Sequence, residues 1–351
     1  MVHSAQDVHI EKAPGSLWRR ALWLGMIVLP LVLAVVSFSV GKYPISVSEL
    51  LHTLIYYYID PSQIHDPNLQ TVLFNIRLPR VLTALIVGGG LSIAGAAYQG
   101  MFKNPMVSPD ILGASAGAGM GASLAFLLSM SIGMVQLFAF FGSLAAVFLT
   151  MTVNRKLSYD PLLGLVLGGI MVSTLLNSIT SGIKILADSS NKLPAITFWL
   201  MGSFSGITRA NLLSILLPMG AGYALLFILR WKLNVLSFGE EEARTMGVKT
   251  AAARRWIIVG ATLITASAVS VCGMVGWVGL VIPHLARALV GPNFNRLIPA
   301  SALLGASYLL VVDNVARCAW SVEPPIGILT SVLGVPVFWV IFRHNTRGWK
   351  T

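Results

Sequence analysis

The sequence runs Leu236-Ser-Phe-Gly-Glu-Glu-Glu-Ala-Arg-Thr-Met-Gly-Val-Lys249 between two long apolar stretches. Helical spacing in this polar segment places Glu241, Arg244 and Val248 on one side, and Gly247 is suited to end a helix. We therefore predict a short surface helix. It is either part of a solvated connection between two membrane helices or a helix that docks onto a soluble cytoplasmic partner.

The composition around this segment indicates a polytopic membrane protein. Of the 351 residues, 56% are hydrophobic and 11% are charged, whereas soluble domains carry about 25% charged residues. The formal net charge of +11 predicts no nucleic-acid partner here, because lysine and arginine accumulate in the cytoplasmic loops of membrane proteins. Cys272 and Cys318 both fall in apolar stretches and predict neither a disulfide framework nor a metal site.

We predict one all-α transmembrane domain, residues 1–351, with about ten membrane segments. They span approximately 21–40, 81–101, 111–128, 134–153, 162–183, 211–229, 256–275, 278–290, 297–319 and 326–342. The eighth is too short to cross a hydrocarbon core about 30 Å thick, so it is a half-span or continues its neighbour. Two outer segments carry further helices, one starting at Ser46 or Ser48 and ending at Tyr58, the other within 193–204.

The distribution of basic residues predicts the orientation. With the N-terminus inside, 17 of the 24 lysines and arginines fall on the inner side and 7 on the outer side. Basic residues are retained in the cytoplasm during membrane insertion. Both termini and the segment 236–255 are therefore predicted to be cytoplasmic.

Small residues recur every four positions in the second and third predicted spans. Such ridges let helix backbones approach closely. The ridge residues are Gly88, Ser92, Ala96 and Gly100 in one span, and Gly113, Gly117, Gly121 and Ala125 in the other.

The sequence contains few residues in patterns typical of catalysis or of metal or nucleotide binding. The sequence has no G-x-x-x-x-G-K-[ST] phosphate loop, no H-E-x-x-H and no C-x-x-C motif, so neither nucleotide binding nor a metal site is predicted in this chain. Asp313 lies deep in a predicted span, four residues before Arg317, which predicts a structural ion pair on one helix face. Arg77, Arg80 and Arg317 stand at outer span ends, where they either extend to lipid headgroups or receive an external anionic surface.

Nine motifs in order, across roughly residues 17–345, resemble the permease subunits of bacterial ABC importers for iron-siderophores, haem and cobalamin, the FecCD/BtuC-type permeases. The motifs are Arg77-Leu-Pro-Arg80, Gly95-Ala-Ala-Tyr-Gln-Gly-Met-Phe-Lys-Asn-Pro105, Leu112-Gly-Ala-Ser-Ala-Gly-Ala-Gly119, Phe198-Trp-Leu-Met-Gly202, Gly239-Glu-x-x-Ala-Arg-x-x-Gly-Val248, Gly276-Trp-Val-Gly-Leu-Val-Ile-Pro-His284, Leu303-Leu-Gly-Ala-Ser307, Asp313-Asn-Val-Ala-Arg317 and Glu323-Pro-Pro-Ile-Gly327 through Leu333-Gly-Val-Pro336.

The resemblance implies a BtuC-like type II importer permease, a homodimer in the inner membrane of a bacterium or archaeon. Two ATP-binding-cassette ATPases would dock at Gly239, Glu240, Glu241, Glu242, Ala243, Arg244 and Gly247. ATP and Mg²⁺ would bind those partners, and this chain would hold no cofactor and catalyse no reaction. An extracytoplasmic binding protein would dock at Arg77, Arg80 and Arg317. A cytoplasmic gate would lie at Ser158, Tyr159 and Asp160, where Tyr159 and Asp160 depart from the small hydroxyl residues of relatives.

A second hypothesis is an ion-coupled secondary transporter that works without an ATPase. Proton-relay carriers normally show several ionisable groups within the membrane, and Asp313 alone is a weak basis for such a relay. The carried substrate stays open among an iron chelate, haem, a corrinoid and an oxyanion such as molybdate.

Overall fold

The computed structural model describes residues 16–60, 66–157 and 161–345, and within these ranges the regular structure is helical. The helices, in chain order, are α1 (Ser16–Ser39), α2 (Val47–Ile59), α3 (Pro67–Gln70), α4 (Leu78–Phe102), α5 (Ala114–Leu127), α6 (Ile132–Leu157), α7 (Pro161–Leu186), α8 (Lys192–Met201), α9 (Arg209–Phe238), α10 (Glu240–Thr245), α11 (Thr250–Cys272), α12 (Val278–Val290), α13 (Phe294–Cys318) and α14 (Ile326–Asn345).

Among the described residues, seven helical segments are long and apolar enough to cross a membrane. They are 17–39, 68–102, 132–155, 161–186, 209–238, 250–272 and 294–318. The shorter apolar helices α5, α12 and α14 account for the other three predicted segments. The chain is thus a multi-pass membrane protein with about ten membrane segments.

α4 is the central helix, and nearly every residue from Val87 to Phe102 is buried. α9, α11, α12 and α13 pack around it. By contrast, large apolar side chains cover the exposed faces of α1, α7 and α14, as expected for helices whose outer surfaces meet lipid or another subunit.

Two glycines of the predicted small-residue ridges lie at close contacts between helix backbones. A Cβ atom at Gly88 would overlap the carbonyl oxygen of Gly305 on α13, and one at Gly117 would overlap that of Gly142 on α6. Only residues without larger side chains allow this approach, which gains dispersion contacts along the whole helix.

α4 is continuous with a longer helix on its N-terminal side. A π-helical turn, Thr71–Arg77, joins α3 to α4, so the helical segment runs from 68 to 102. The predicted start at residue 81 was too late. Hydropathy drops at Arg77 and Arg80, although the backbone stays helical through both.

Two helices predicted in segments between membrane spans are confirmed as α2 and α8, while their position on the outer side stays a prediction. Ser46 caps α2, and its hydroxyl accepts a hydrogen bond from the Glu49 amide while the Glu49 carboxylate accepts one from the Ser46 amide. This reciprocal capping fixes the start of the helix. α12 is a separate helix of 13 residues, which at 1.5 Å per residue is about 20 Å long and fits the half-span interpretation.

Candidate functional site

The polar segment around α10 folds as a helix with defined ends. Gly239 precedes it with a positive φ of 151°. After it, Gly247 adopts a φ of 79°, its amide donates to the Arg244 carbonyl, and the Val248 amide donates to the Ala243 carbonyl. These two bonds form a Schellman motif, which needs a left-handed residue where Gly247 stands. The prediction that Gly247 ends the helix is confirmed.

Glu240 holds α10 against the start of α11. Its carboxylate lies 2.6 Å from Arg254 Nη2 and 2.8 Å from Arg244 Nη2, and it accepts a hydrogen bond from the Thr250 hydroxyl. The bond from Arg254 lowers the pKa of Glu240 below its ordinary value. Ala243, which belongs to α10 itself, has a fully buried side chain. These contacts orient α10 and leave the side of the helix that faces away from α11 exposed.

Glu241 and Glu242 lie on that free side, and both are exposed. Beside them is a shallow cavity of about 380 Å³. Its lining residues are Arg244, Gly247, Val248, Lys249, Thr250 and Ala251. The segment therefore presents two carboxylates next to a groove with basic side chains, on a helix whose position is fixed from below.

At the other end of the membrane segments, the structure corrects the expected exposure of three arginines. Arg77, Arg80 and Arg317 are 4%, 6% and 6% exposed. Arg77 donates to the backbone carbonyls of Phe38 and Tyr43. Arg77 is buried because these partners come from parts of the chain distant in sequence. The role of the three arginines in docking stays a prediction.

Arg80 is shared between two carboxylates. Its Nε lies 2.9 Å from Asp313 Oδ1, and its Nη2 lies 2.8 Å from the same oxygen and 2.9 Å from Glu323 Oε2. Arg317 Nε lies 3.4 Å from Asp313 Oδ2, and its Nη2 also donates to the Ser37 carbonyl. Glu323 was overlooked as a charge partner, because nothing in the sequence pairs it with Arg80.

α7 carries a face that the sequence interpretation also overlooked. Thr174, Asn177, Ser178 and Ser181 are all exposed on this membrane-spanning helix. Their spacing of three and four residues places them on one face. The three hydroxyls donate to carbonyls of their own helix, but the Asn177 carboxamide makes no hydrogen bond to any described residue. The periodicity of these four residues was the signal that would have found them.

The predicted gate residues Ser158, Tyr159 and Asp160 lie outside the described residues. They come between the end of α6 and the start of α7.

The described residues thus form a bundle of apolar helices with one short exposed helix, α10, and a face of polar side chains on the membrane-spanning helix α7. The chain belongs to the FecCD transport family, whose model matches residues 28–344, and is a permease subunit of the ABC importer class.

Named relatives and a solved structure align with most of the chain. The molybdate import system permease MolB of Haemophilus influenzae is 41% identical, covering 92% of this chain and 96% of its own length. The cobalamin import system permease BtuC of Halobacterium salinarum is 39% identical, covering 82% and 78%. A structure of a metal-chelate type ABC transporter in an inward-facing conformation matches with a TM-score of 0.82 and 37% identity, covering 93% of this chain and 99% of that one.

Proposed function

We propose that this permease works as a homodimer in the cytoplasmic membrane, driven by two ATP-binding-cassette subunits and supplied by an extracytoplasmic binding protein. ATP and Mg²⁺ act on the ATPase subunits. The unequal division of lysines and arginines supports cytoplasmic termini and a cytoplasmic α10.

The ATPase docking site is α10 with its flanking residues. Glu240 and Ala243 anchor the helix, while Glu241, Glu242 and the adjoining groove face outward. A rigid helix transmits a push from a docked subunit to the helices on either side of it. α9 and α11 flank α10 directly in the chain and pack against each other and against α4, so movement at α10 reaches the centre of the bundle.

The cargo path runs along the polar face of α7, at the contact between two copies. Asn177 is the observation that carries this assignment. A carboxamide that faces hydrocarbon without a partner costs free energy, so the exposed Asn177 is better suited to water, cargo or a second copy of α7. On the N-terminal half of the same face, Leu163, Leu167 and Ile170 are exposed and apolar, which suits a closable constriction.

The cargo is a metal held within its own ligands. The two relatives named above are described as molybdate and cobalamin permeases, and the solved structure as a metal-chelate transporter. These substrates share a metal centre surrounded by oxygen or nitrogen ligands. Hydroxyl and carboxamide groups along α7 offer hydrogen bonds to such a ligand shell and do not compete for the metal.

The binding protein docks on the outer rim around Arg77, Arg80 and Arg317. Their burial means that an acidic group on the partner reaches a guanidinium only after local rearrangement. The Arg80–Glu323 contact is the most accessible point, since the Glu323 side chain is 24% exposed.

Thiol labelling tests the α7 path. Asn177→Cys and Leu217→Cys are made in a Cys318→Ser background, because Cys318 is exposed. Leu217 on α9 is 84% exposed, and both positions lie about 12–14 Å from the outer ends of their helices. A membrane-impermeant thiol reagent added outside is expected to modify Asn177→Cys and spare Leu217→Cys. Equal protection of both, with and without ATP, would remove α7 from the path.

A further inference from the structure

The loop between α13 and α14 is fastened to the rest of the outer surface at three points. Lys42 Nζ donates to the Ser321 carbonyl at 2.9 Å, Arg80 pairs with Glu323, and the Ile326 amide donates to the Gly202 carbonyl at 2.9 Å. The loop thus connects the core helices α4 and α13 to the end of α8.

The first turn of α14 and the end of α8 are in close backbone contact. A Cβ atom at Gly327 would overlap the Met201 carbonyl oxygen and lie 2.8 Å from that of Met274. Gly202 is equally close to the loop after α11, where the Ser203 amide donates to the Cys272 carbonyl at 2.8 Å. Such close backbone contact leaves no room for one helix end to shift without the other.

An outer cavity of about 630 Å³ lies between these elements. Phe198 and Trp199 of α8 line one side, and Val322 and Glu323 of the loop line another. The position of the loop therefore sets the width of this opening.

The two carboxylates that share Arg80 differ in how easily they can be released. Asp313 is fully buried and also faces Arg317, so separating it would leave unpaired charge in the interior. The Glu323 side chain is 24% exposed, so its carboxylate can exchange Arg80 for water at a smaller desolvation cost than the buried Asp313. When Glu323 leaves, Arg80 keeps Asp313 as its partner.

We propose that the Arg80–Glu323 ion pair is a releasable tie that holds the α13–α14 loop, and with it the outer ends of α14 and α8, in the position that narrows the outer cavity. Glu323 acts as a positioning residue. An acidic group that competes for Arg80 releases the loop; this trigger rests on the proposed docking of a binding protein, whereas the tie itself does not.

Hydrogen–deuterium exchange of the permease–ATPase complex in nanodiscs, without binding protein, tests the tie. The Glu323→Gln variant is expected to raise exchange in peptides covering 319–328, which contain the Ile326 amide bonded to the Gly202 carbonyl, and to leave peptides from 309–316 of α13 unchanged. The matched control is Glu49→Gln, an exposed outer carboxylate on α2. Basal ATP hydrolysis is expected to rise several-fold in Glu323→Gln and to stay at the wild-type level in the control.

Wild-type exchange in the 319–328 peptides of Glu323→Gln would overturn the proposal, as would an equal rise in α13, which indicates general loosening. Glu323→Ala removes the same ion pair with Arg80 and provides a second test if Glu323→Gln does not assemble. An unchanged loop in that variant counts against the tie as well. Adding binding protein to the wild-type permease tests the trigger separately. If the loop is released in Glu323→Gln but not in wild type with binding protein, the docking proposal is contradicted and the Arg80–Glu323 tie is retained.

Discussion

Glu240, Glu241 and Glu242 are neighbours of the same chemistry, yet the structure gives them different environments. Glu240 is bonded to Arg254, Arg244 and Thr250, whereas Glu241 and Glu242 are exposed. The difference follows from a helix of six residues, which directs successive side chains about 100° apart. Only one of the three can face α11.

Reversing the two exposed charges is expected to weaken ATPase docking without unfolding the permease. Glu241→Lys/Glu242→Lys changes only solvated side chains, so the thermal midpoint of the purified permease stays at the wild-type value while co-purification of the ATPase falls. Ser190→Lys, an exposed position between α7 and α8, serves as the control. If the double variant co-purifies the ATPase and hydrolyses ATP as the wild type does, α10 is only a connection between α9 and α11 and not the docking site.

Replacing Glu240 is expected to act through the fold. Glu240→Gln removes the ion pair with Arg254, a hydrogen bond to charged groups worth about 1.5–3 kcal/mol, so limited proteolysis within 236–255 accelerates. Because the pKa of Glu240 is lowered in the folded state, this contribution is present at neutral pH and is lost only as the pH falls below the ordinary glutamate range. Proteolysis rates of wild type and Glu240→Gln should therefore converge at acid pH. Identical rates at neutral pH would show that the pair does not hold the segment.

At the scale of helices, the predicted spans match the observed helices closely where the sequence is apolar, and poorly where a helix ends in polar residues. The prediction 278–290 matches α12, because hydropathy changes sharply at both ends. The prediction for the sixth span ended at 229, whereas α9 continues to Phe238, since Arg230 and Lys232 end the apolar run but not the helix. The exposure of Arg77, Arg80 and Arg317 was unpredictable because their partners, such as Ser37 and Glu323, are set by tertiary packing.

Packing of α4 against α12 is expected to fail when Gly95 gains a side chain. In Gly95→Ala the new Cβ overlaps backbone atoms of Gly279, which cannot move aside as a flexible side chain would, and the cost is at least about 1–3 kcal/mol. Gly220→Ala on α9 meets nothing within 4 Å and is the control. Thermal denaturation in detergent is expected to give a lower midpoint for Gly95→Ala alone, and equal midpoints would refute the close approach.

At the scale of the whole molecule, the two proposed docking surfaces, α10 and the region around Arg77, Arg80 and Arg317, lie at opposite ends of the membrane helices. The orientation is testable with single cysteines in a Cys318→Ser background. Ser190→Cys, exposed between α7 and α8, is expected to react with an impermeant reagent in intact cells. Thr245→Cys on α10 is expected to react only after the cells are opened. The opposite pattern would invert the topology.

Cargo uptake into proteoliposomes is the measurement that tests the central claim most directly. Permease is reconstituted with its ATPase, binding protein is placed on the outer face, and molybdate, an iron–siderophore and cobalamin serve in turn as labelled probes. The account predicts uptake of one probe that requires ATP and binding protein and is abolished by Glu241→Lys/Glu242→Lys. Uptake by the permease alone, driven by an ion gradient without ATPase or ATP, would contradict it and support a secondary transporter.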